Sequence, residues 1–233
     1  MSYHPIANQI YNLLIQDKIT EQKGEITFDF LQMPIKINRK DGIGNLFEEW
    51  FSGWMKVKGI YFITKKNTQK FPDFLLDKDS EIKGLLEIKT FSKNPAFDLG
   101  NFKAYCNSLT TEGYRLDADY LIFDYQLEKS KFQIKQIWLK KIWEVTGKSE
   151  DYPITHQKKG GKDQKPEDKQ IYTIRPSSKS TWDSPKDQFF QSRLDFVNAL
   201  YNTLMQYYDT KNKSSDWLEK VKNNYLCHIG EEL

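Results

Sequence analysis

The sequence predicts an α/β (α+β) fold, a central mixed β-sheet flanked by helices. Three observations predict it. A strongly amphipathic stretch near residue 50 has the period of a helix, and short apolar β-runs follow it. A further helical stretch then separates two of those runs, the arrangement that puts helices on the faces of a partly parallel sheet. With 233 residues, 38% hydrophobic and 15% aromatic, the chain has enough apolar material for a real core.

Residues 5–17 carry Ile6, Ile10, Leu13 and Leu14 at helical spacing, and 24–38 read as an irregular strand region. The clearest helix follows. Ile43, Leu46, Phe47, Trp50, Phe51, Trp54 and Val57 form its apolar face, Asp41 is its expected N-cap and Gly59 its stop. Glu48 and Glu49 flank the apolar stripe. Three β-runs are expected at Ile60–Thr64, Pro72–Leu76 and Gly84–Phe91, the last two joined by a turn at Asp77–Ser80. Residues 97–110 read as helix, 119–125 and 132–138 as strands, and 139–146 as a turn back into helix. Lys, Gly, Ser, Pro and Gln then dominate 148–186, around a β-like Gln170–Ile174. Two helices close the chain, at about 186–208 and 214–226.

Composition excludes several classes. The net charge of +3, from 35 basic and 32 acidic residues, neither demands nor forbids a polyanionic partner, since an acidic site inside a basic groove gives the same sum. Cys106 and Cys227 are too few for a disulfide framework. The N-terminus lacks the pattern of a secretory signal. No run approaches the roughly eighteen apolar residues of a membrane span. A cytoplasmic protein without membrane partners is expected. His4, His156 and His228 are too scattered for a zinc site, and no phosphate-binding glycine loop is present.

The chemistry is concentrated in Phe71-Pro72-Asp73 and, beyond a turn, Glu87-Ile88-Lys89. Side chains alternate along a strand, so Glu87 and Lys89 share a face. Pairing of the two strands brings Asp73 beside Glu87. Two carboxylates and an ammonium are what metal-assisted phosphodiester hydrolysis requires: hard oxygen ligands for Mg²⁺, which lowers the pKa of a bound water, and a cation to orient that water and stabilise the transition state. Chance produces similar triplets, such as Glu21-Gln22-Lys23, Glu81-Ile82-Lys83 and Glu167-Asp168-Lys169, but none lies late in an apolar β-run. An edge strand with one solvated face would explain Glu87 and Lys89 without catalysis.

These residues and the order of elements resemble the PD-(D/E)XK nuclease superfamily and its αβββαβ core, over about residues 42–125. The resemblance implies that Asp73 and Glu87 ligate the metal, with Ile88 placed at the metal beside them, and that Lys89 is the water-positioning base. Magnesium is the implied cofactor, with manganese as a substitute. The glutamate that such enzymes add from the first helix corresponds to Glu48, in Gly44-x-x-x-Glu48, taken over the neighbouring Glu49.

Within that superfamily the chain resembles type II restriction endonucleases of the NgoBV-like group, through PAFDLGNFKAY, IKQIWLKKIWEVTG and IYTIRPSSKSTW. The expected organisation is one endonuclease domain over 1–233, with recognition and dimerisation elements in about 126–233. The resemblance implies double-stranded DNA as substrate, a homodimer, and a cognate DNA methyltransferase encoded nearby. The segment His156–Lys186 holds eight basic residues, including Lys158, Lys159, Lys162, Lys165 and Lys169, against four acidic ones. Arg175, Ser177, Ser178, Lys179 and Ser180 supply donors for phosphates and base edges, and Asn101 and Lys103 are further candidates. A solvated loop is the plainer reading of that segment. A structure-specific repair or recombination nuclease and a non-catalytic DNA-binding module are the alternative functions.

Overall fold

The helix α2, Ile43–Val57, sets the core of the N-terminal half because its buried residues recur every fourth position: Ile43, Phe47, Phe51 and Met55. In the computed structural model, which describes residues 2–40, 42–64, 71–160, 170–207 and 216–233, the chain forms two compact units. One comprises residues 1–94 and 118–140, the other 95–117 and 141–233.

The first unit contains α1 (Pro5–Gln16), β1 (Gly24–Glu25), β2 (Thr27–Phe30), β3 (Met33–Lys36), α2, β4 (Phe74–Leu75), β5 (Leu85–Phe91), β7 (Asp119–Glu128) and β8, which starts at Lys131 and runs to Lys141. Its five-stranded sheet has the order β1-β8-β7-β5-β4. β5 pairs antiparallel with β4 and parallel with β7, so the sheet is mixed, as expected. Parallel neighbours need a long crossover, and residues 92–118 supply it. β7 is buried along nearly its whole length, the pattern of a strand covered on both faces. It turns into β8 at Lys129 and Ser130, both at positive φ, as a two-residue primed hairpin requires. Phe47 and Phe51 of α2 pack on Phe123 of β7, with ring centroids 4.5 and 6.0 Å apart. Phe51 also meets Phe74 of β4 edge-on.

The second unit contains β6 (Gly100–Asn101), α3 (Phe102–Leu109), α4 (Ile142–Val145), β9 (His156–Lys159), β10 (Gln170–Ile174), α5 (Arg193–Tyr207) and α6 (Trp217–Ile229). Its sheet has the order β6-β10-β9. Its polar centre is the half-buried Asp117, paired with the buried Arg193. Arg193 donates to both its carboxylate oxygens at 3.0 and 3.3 Å, and the Tyr225 hydroxyl donates at 2.7 Å. Lys141 Nζ donates to the Asp117 carbonyl. Burial raises the Asp117 pKa against the pull of Arg193 and Lys141. Both cysteines are free thiols.

Several elements differ from expectation, each for a local reason. Ile60–Thr64 contributes a single bridge, Ile63 to Leu75, because β4 is only two residues long and offers no ladder to extend. The Asp77–Ser80 turn widens into a loop closed by Leu76 N–H to the Gly84 carbonyl. Its Gly84 has φ +67, and an added Cβ there would lie 2.8 Å from the Asp77 nitrogen. Residues 139–146 stay in β8 as far as Lys141 and leave one turn of helix. The expected helix at 186–208 begins only at Arg193, behind a 3₁₀ turn at Pro185–Asp187. On α2, Leu46, Trp50 and Val57 are exposed although they sit in the apolar stripe. The expected N-cap Asp41 lies outside the described residues.

Two stability measurements follow. Phe51→Ala removes a fully buried ring that touches both α2's own turn and the sheet, and lowers the unfolding free energy by about 3–5 kcal/mol in urea titration. Asp117→Ala leaves the buried Arg193 with only Glu231, at 3.8 Å, as an ionic partner among the described residues and costs about 1–3 kcal/mol, whereas Tyr225→Phe, losing one hydrogen bond, costs about 1 kcal/mol.

Candidate active site

Asp73, Glu87, Lys89 and Glu48 all lie in the first unit, and β5 positions them. In Leu85–Phe91, Leu86 and Ile88 are buried while Glu87 and Lys89 are half-buried. The alternation puts the apolar pair into the core with α2 and lifts Glu87 and Lys89 out on the other face. The β4–β5 register pairs Phe74 with Leu86 and Leu75 with Leu85, which carries Asp73, one residue before β4, opposite Glu87. The contact is fixed by the backbone: the Ile88 N–H donates to Asp73 Oδ2 at 2.7 Å. The sequence carries no side-chain sign of that bond, because any residue at 88 would supply the same N–H.

Lys89 Nζ donates to Glu87 Oε1 at 2.7 Å. The other oxygen, Oε2, is buried and has no hydrogen-bond partner among the described residues. Burial, then the charge of Glu87, push the Asp73 pKa up to about 7, against the pull of the Ile88 N–H and Lys89. Burial alone would depress Lys89. The charges of Glu87, Asp73 and Glu48 outweigh it and hold the ammonium's pKa above its ordinary value.

Glu48 reaches this field from α2. Gly44, one turn earlier, comes close enough to β5 that an added Cβ would sit 3.6 Å from Thr90 Oγ1. Burial raises the Glu48 pKa and Lys89 lowers it, with Glu87 and Glu49 adding repulsion. Glu49 itself is exposed. The structure thus brings Asp73, Glu87 and Lys89 together and places Glu48, rather than Glu49, within their electrostatic range.

Among the described residues no group of three or more carboxylate, imidazole or thiol side chains has a metal-binding arrangement. Two carboxylates meet at this point, and they suit a hard cation that keeps most of its waters. The partnerless Glu87 oxygen and the repulsion between Glu87 and Asp73 are what such a cation would relieve.

The candidate DNA-contacting residues belong to the second unit. Asn101 caps α3, its Oδ1 accepting from the Ala104 N–H at 2.9 Å. Lys103 is exposed on the same helix. Lys158 donates to Asp151 at 3.4 Å and lies over Tyr152, and Lys159 lies over the Tyr172 ring at 4.4 Å. Arg175 pairs with Asp98 at 3.2 Å and donates to Gln157 and the Ala96 carbonyl. Ser177 is buried, bonded to the Val145 carbonyl, Thr181 and Trp182, so its hydroxyl holds the fold. Ser178 and Ser180 bond each other on the exposed turn that begins at Lys179. Lys162, Lys165 and Lys169 lie outside the described residues.

Comparison with known proteins bears out the resemblance drawn from the sequence. The family model described as NgoBV restriction endonuclease matches residues 4–233. The type II restriction enzyme NlaIV of Neisseria lactamica is 34% identical over 231 residues, covering 97% of this chain and 92% of its own. The type II restriction enzyme NgoBV of Neisseria gonorrhoeae is 33% identical over 166 residues, 66% of this chain and 89% of its own. The solved structure of the NlaIV restriction endonuclease superimposes with a TM-score of 0.84 at 33% identity, over 97% of this chain and 91% of that one. The chain belongs to the NgoBV restriction endonuclease family.

Proposed function

We propose that this chain is a type II enzyme that hydrolyses double-stranded DNA at a specific short sequence by Mg²⁺-dependent attack of water, with Asp73, Glu87 and Lys89 as its catalytic centre. The observation that carries the site assignment is the convergence of Asp73 and Glu87 across β4 and β5, with Lys89 on Glu87 and one Glu87 oxygen left without a partner. Asp73 and Glu87, with the backbone at Ile88, would hold the ion, Mn²⁺ serving in place of Mg²⁺. Such an ion supplies an activated water and neutralises charge on the phosphate. Lys89 orients the attacking water and faces the developing negative charge with its ammonium. Glu48 tunes the field around Lys89. The Ile88 N–H holds Asp73 in place, so little reorganisation is needed when DNA arrives. Lys103, the Ser178–Ser180 turn, Lys158, Lys159 and Arg175 would supply phosphate and base-edge contacts, Lys158, Lys159 and Arg175 by exchanging their present partners. Asn101 caps α3 beside Lys103, and the buried Ser177 supports the turn from within. Among the described residues no helix is long and apolar enough to cross a membrane. A cytoplasmic homodimer, paired in its host with a DNA methyltransferase of the same specificity, fits this role.

Digestion of unmethylated phage and plasmid DNA tests the reading. Wild type with Mg²⁺ gives discrete fragments, chelator abolishes them, and Glu87→Ala and Lys89→Ala each lose about 10³-fold or more in rate. Metal-dependent but unpatterned degradation would transfer the same site to a structure-specific nuclease. Cleavage that survives both substitutions would remove Glu87 and Lys89 from the mechanism. Glu48→Gln lowers the single-turnover rate by about tenfold, while Glu49→Gln leaves it unchanged.

In metal-free buffer the buried Asp73 charge destabilises the fold. A carboxyl whose folded pKa is raised loses stability as pH climbs from its unfolded value towards about 7. Asp73→Asn therefore melts above wild type at pH 8 in chelator, and the gap narrows at pH 5 as Asp73 takes up its proton in the folded state. Equal melting temperatures at both values would show that Asp73 is not strained by burial.

A further inference from the structure

We propose that the apolar face of the β2–β3 hairpin, with the groove at its base, is the surface on which a second copy of this chain docks. The inference rests on the homodimer expected of a nuclease that cuts both strands, and it names the surface involved.

The hairpin pairs Phe28 with Ile35 and Phe30 with Met33, while Thr27 faces Lys36 and Asp29 faces Pro34. Alternation therefore puts Phe28, Phe30, Met33 and Ile35 on one face and the charged residues on the other. That apolar face is open: Phe28 is 58% exposed, Phe30 62%, Met33 60% and Ile35 51%. The two phenyl rings stack on each other at 6.3 Å. The tip is formed by Leu31 and Gln32, both at positive φ, and Leu31 is 80% exposed. A two-stranded ribbon alone is marginal in water, and an apolar ribbon face left to solvent gains nothing from folding. The hairpin has the composition of an element completed by a partner.

The area agrees with a dimer. Those five side chains expose roughly 600 Å² of apolar surface, which already reaches the upper end for the largest patch on an ordinary monomer. Leu46 and Trp50 of α2 are each 47% exposed and line a groove of about 440 Å³ that Ile26 and Thr27, at the hairpin's root, also line. They bring the total close to the roughly 800 Å² per partner of a standard interface. The chemistry fits a like surface better than a nucleic acid. Phosphates require cations, yet the charged residue of β3, Lys36, lies on the opposite face and is paired with Glu25 at 2.9 Å. Two copies of the hairpin's apolar face meet about a two-fold axis without burying a charge of that face. The groove beside it also carries Lys23 and Glu25, the latter paired with Lys36 and Lys131.

Sedimentation of the full chain without DNA tests this. Wild type at micromolar concentration is expected at twice the 27.6 kDa chain mass. Phe28→Ser with Met33→Ser weakens association about a hundredfold or more, whereas Asp29→Ser, on the other face, leaves it unchanged. Circular dichroism checks that the variants are folded. Should the double variant not fold, hydrogen exchange on wild type decides: amides of 27–36 gain protection with protein concentration if a second copy covers them. A monomeric wild type, a double variant that dimerises like wild type, or protection that appears only when duplex DNA is added would each overturn the inference. Cleavage is scored separately. A dimer through this face that cuts no DNA sinks the nuclease reading alone, and a cutting monomer sinks the docking surface alone.

Discussion

The register of β5 is the constraint on which the site depends. Because side chains alternate, a slip of one residue would drive Glu87 and Lys89 into the core and present Leu86 and Ile88 to the site. Both neighbours oppose that slip: β4 pairs antiparallel on one side and β7 parallel on the other. The core cluster opposes it again, since Leu86 and Ile88 pack with Ile43, Phe47 and Phe51 of α2 and with Phe123 of β7. Burial of large apolar side chains, worth about 1.5–3 kcal/mol each, offsets what two half-desolvated carboxylates and an ammonium cost. The chemistry of the site is thus supported from the opposite face of a single strand.

That support explains why much of the site was legible in the sequence. Charged residues in Gly84-Leu85-Leu86-Glu87-Ile88-Lys89 need a reason, and the period-2 pattern separates the apolar from the ionic members without knowledge of the fold. The helix at 43–57 was equally clear, because apolar residues at 43, 46, 47, 50, 51, 54 and 57 leave no competing period, though which of them are buried was not. The pairing of Asp73 with Glu87 followed from a turn between two β-runs. The length of that turn did not, since the loop is closed by backbone atoms around Gly84. Ile60–Thr64 shows the opposite limit. A β-rich segment becomes a strand only where a neighbour is long enough to pair with it, and β4 is not.

The basic segment after residue 148 resisted reading for a related physical reason. Residue type says what a side chain can bond, and local neighbours decide which bond it makes. Ser177 was a candidate for phosphates, yet its hydroxyl holds Trp182 and the Val145 carbonyl inside the second unit. Asn101 has the same donors and acceptors as a base-reading asparagine, but as an N-cap it serves the helix that starts beside it. Arg175 lies between these cases. It is tied to Asp98 and Gln157, partners that a phosphate or a base edge could replace, so its present bonds hold it in place without removing it from recognition.

The proposed docking surface and the chemistry meet on α2. Its buried residues Ile43, Phe47 and Phe51 lie in the core cluster with Leu86 and Ile88 of β5, its half-buried Glu48 enters the field of Lys89, and its exposed Leu46 and Trp50 border the groove. Leu46 and Trp50 each lie two positions from Glu48, and a helix held by its core face moves as a body rather than residue by residue. A partner seated on Leu46 and Trp50 therefore presses on the same turn that carries Glu48, and through Gly44 on the end of β5 at Thr90. Exposed apolar residues in the stripe of α2 look like a packing defect in a single copy. If a second copy seats there, as proposed, the docking face and Glu48 share one turn of one helix, and docking bears on a charged neighbour of Lys89.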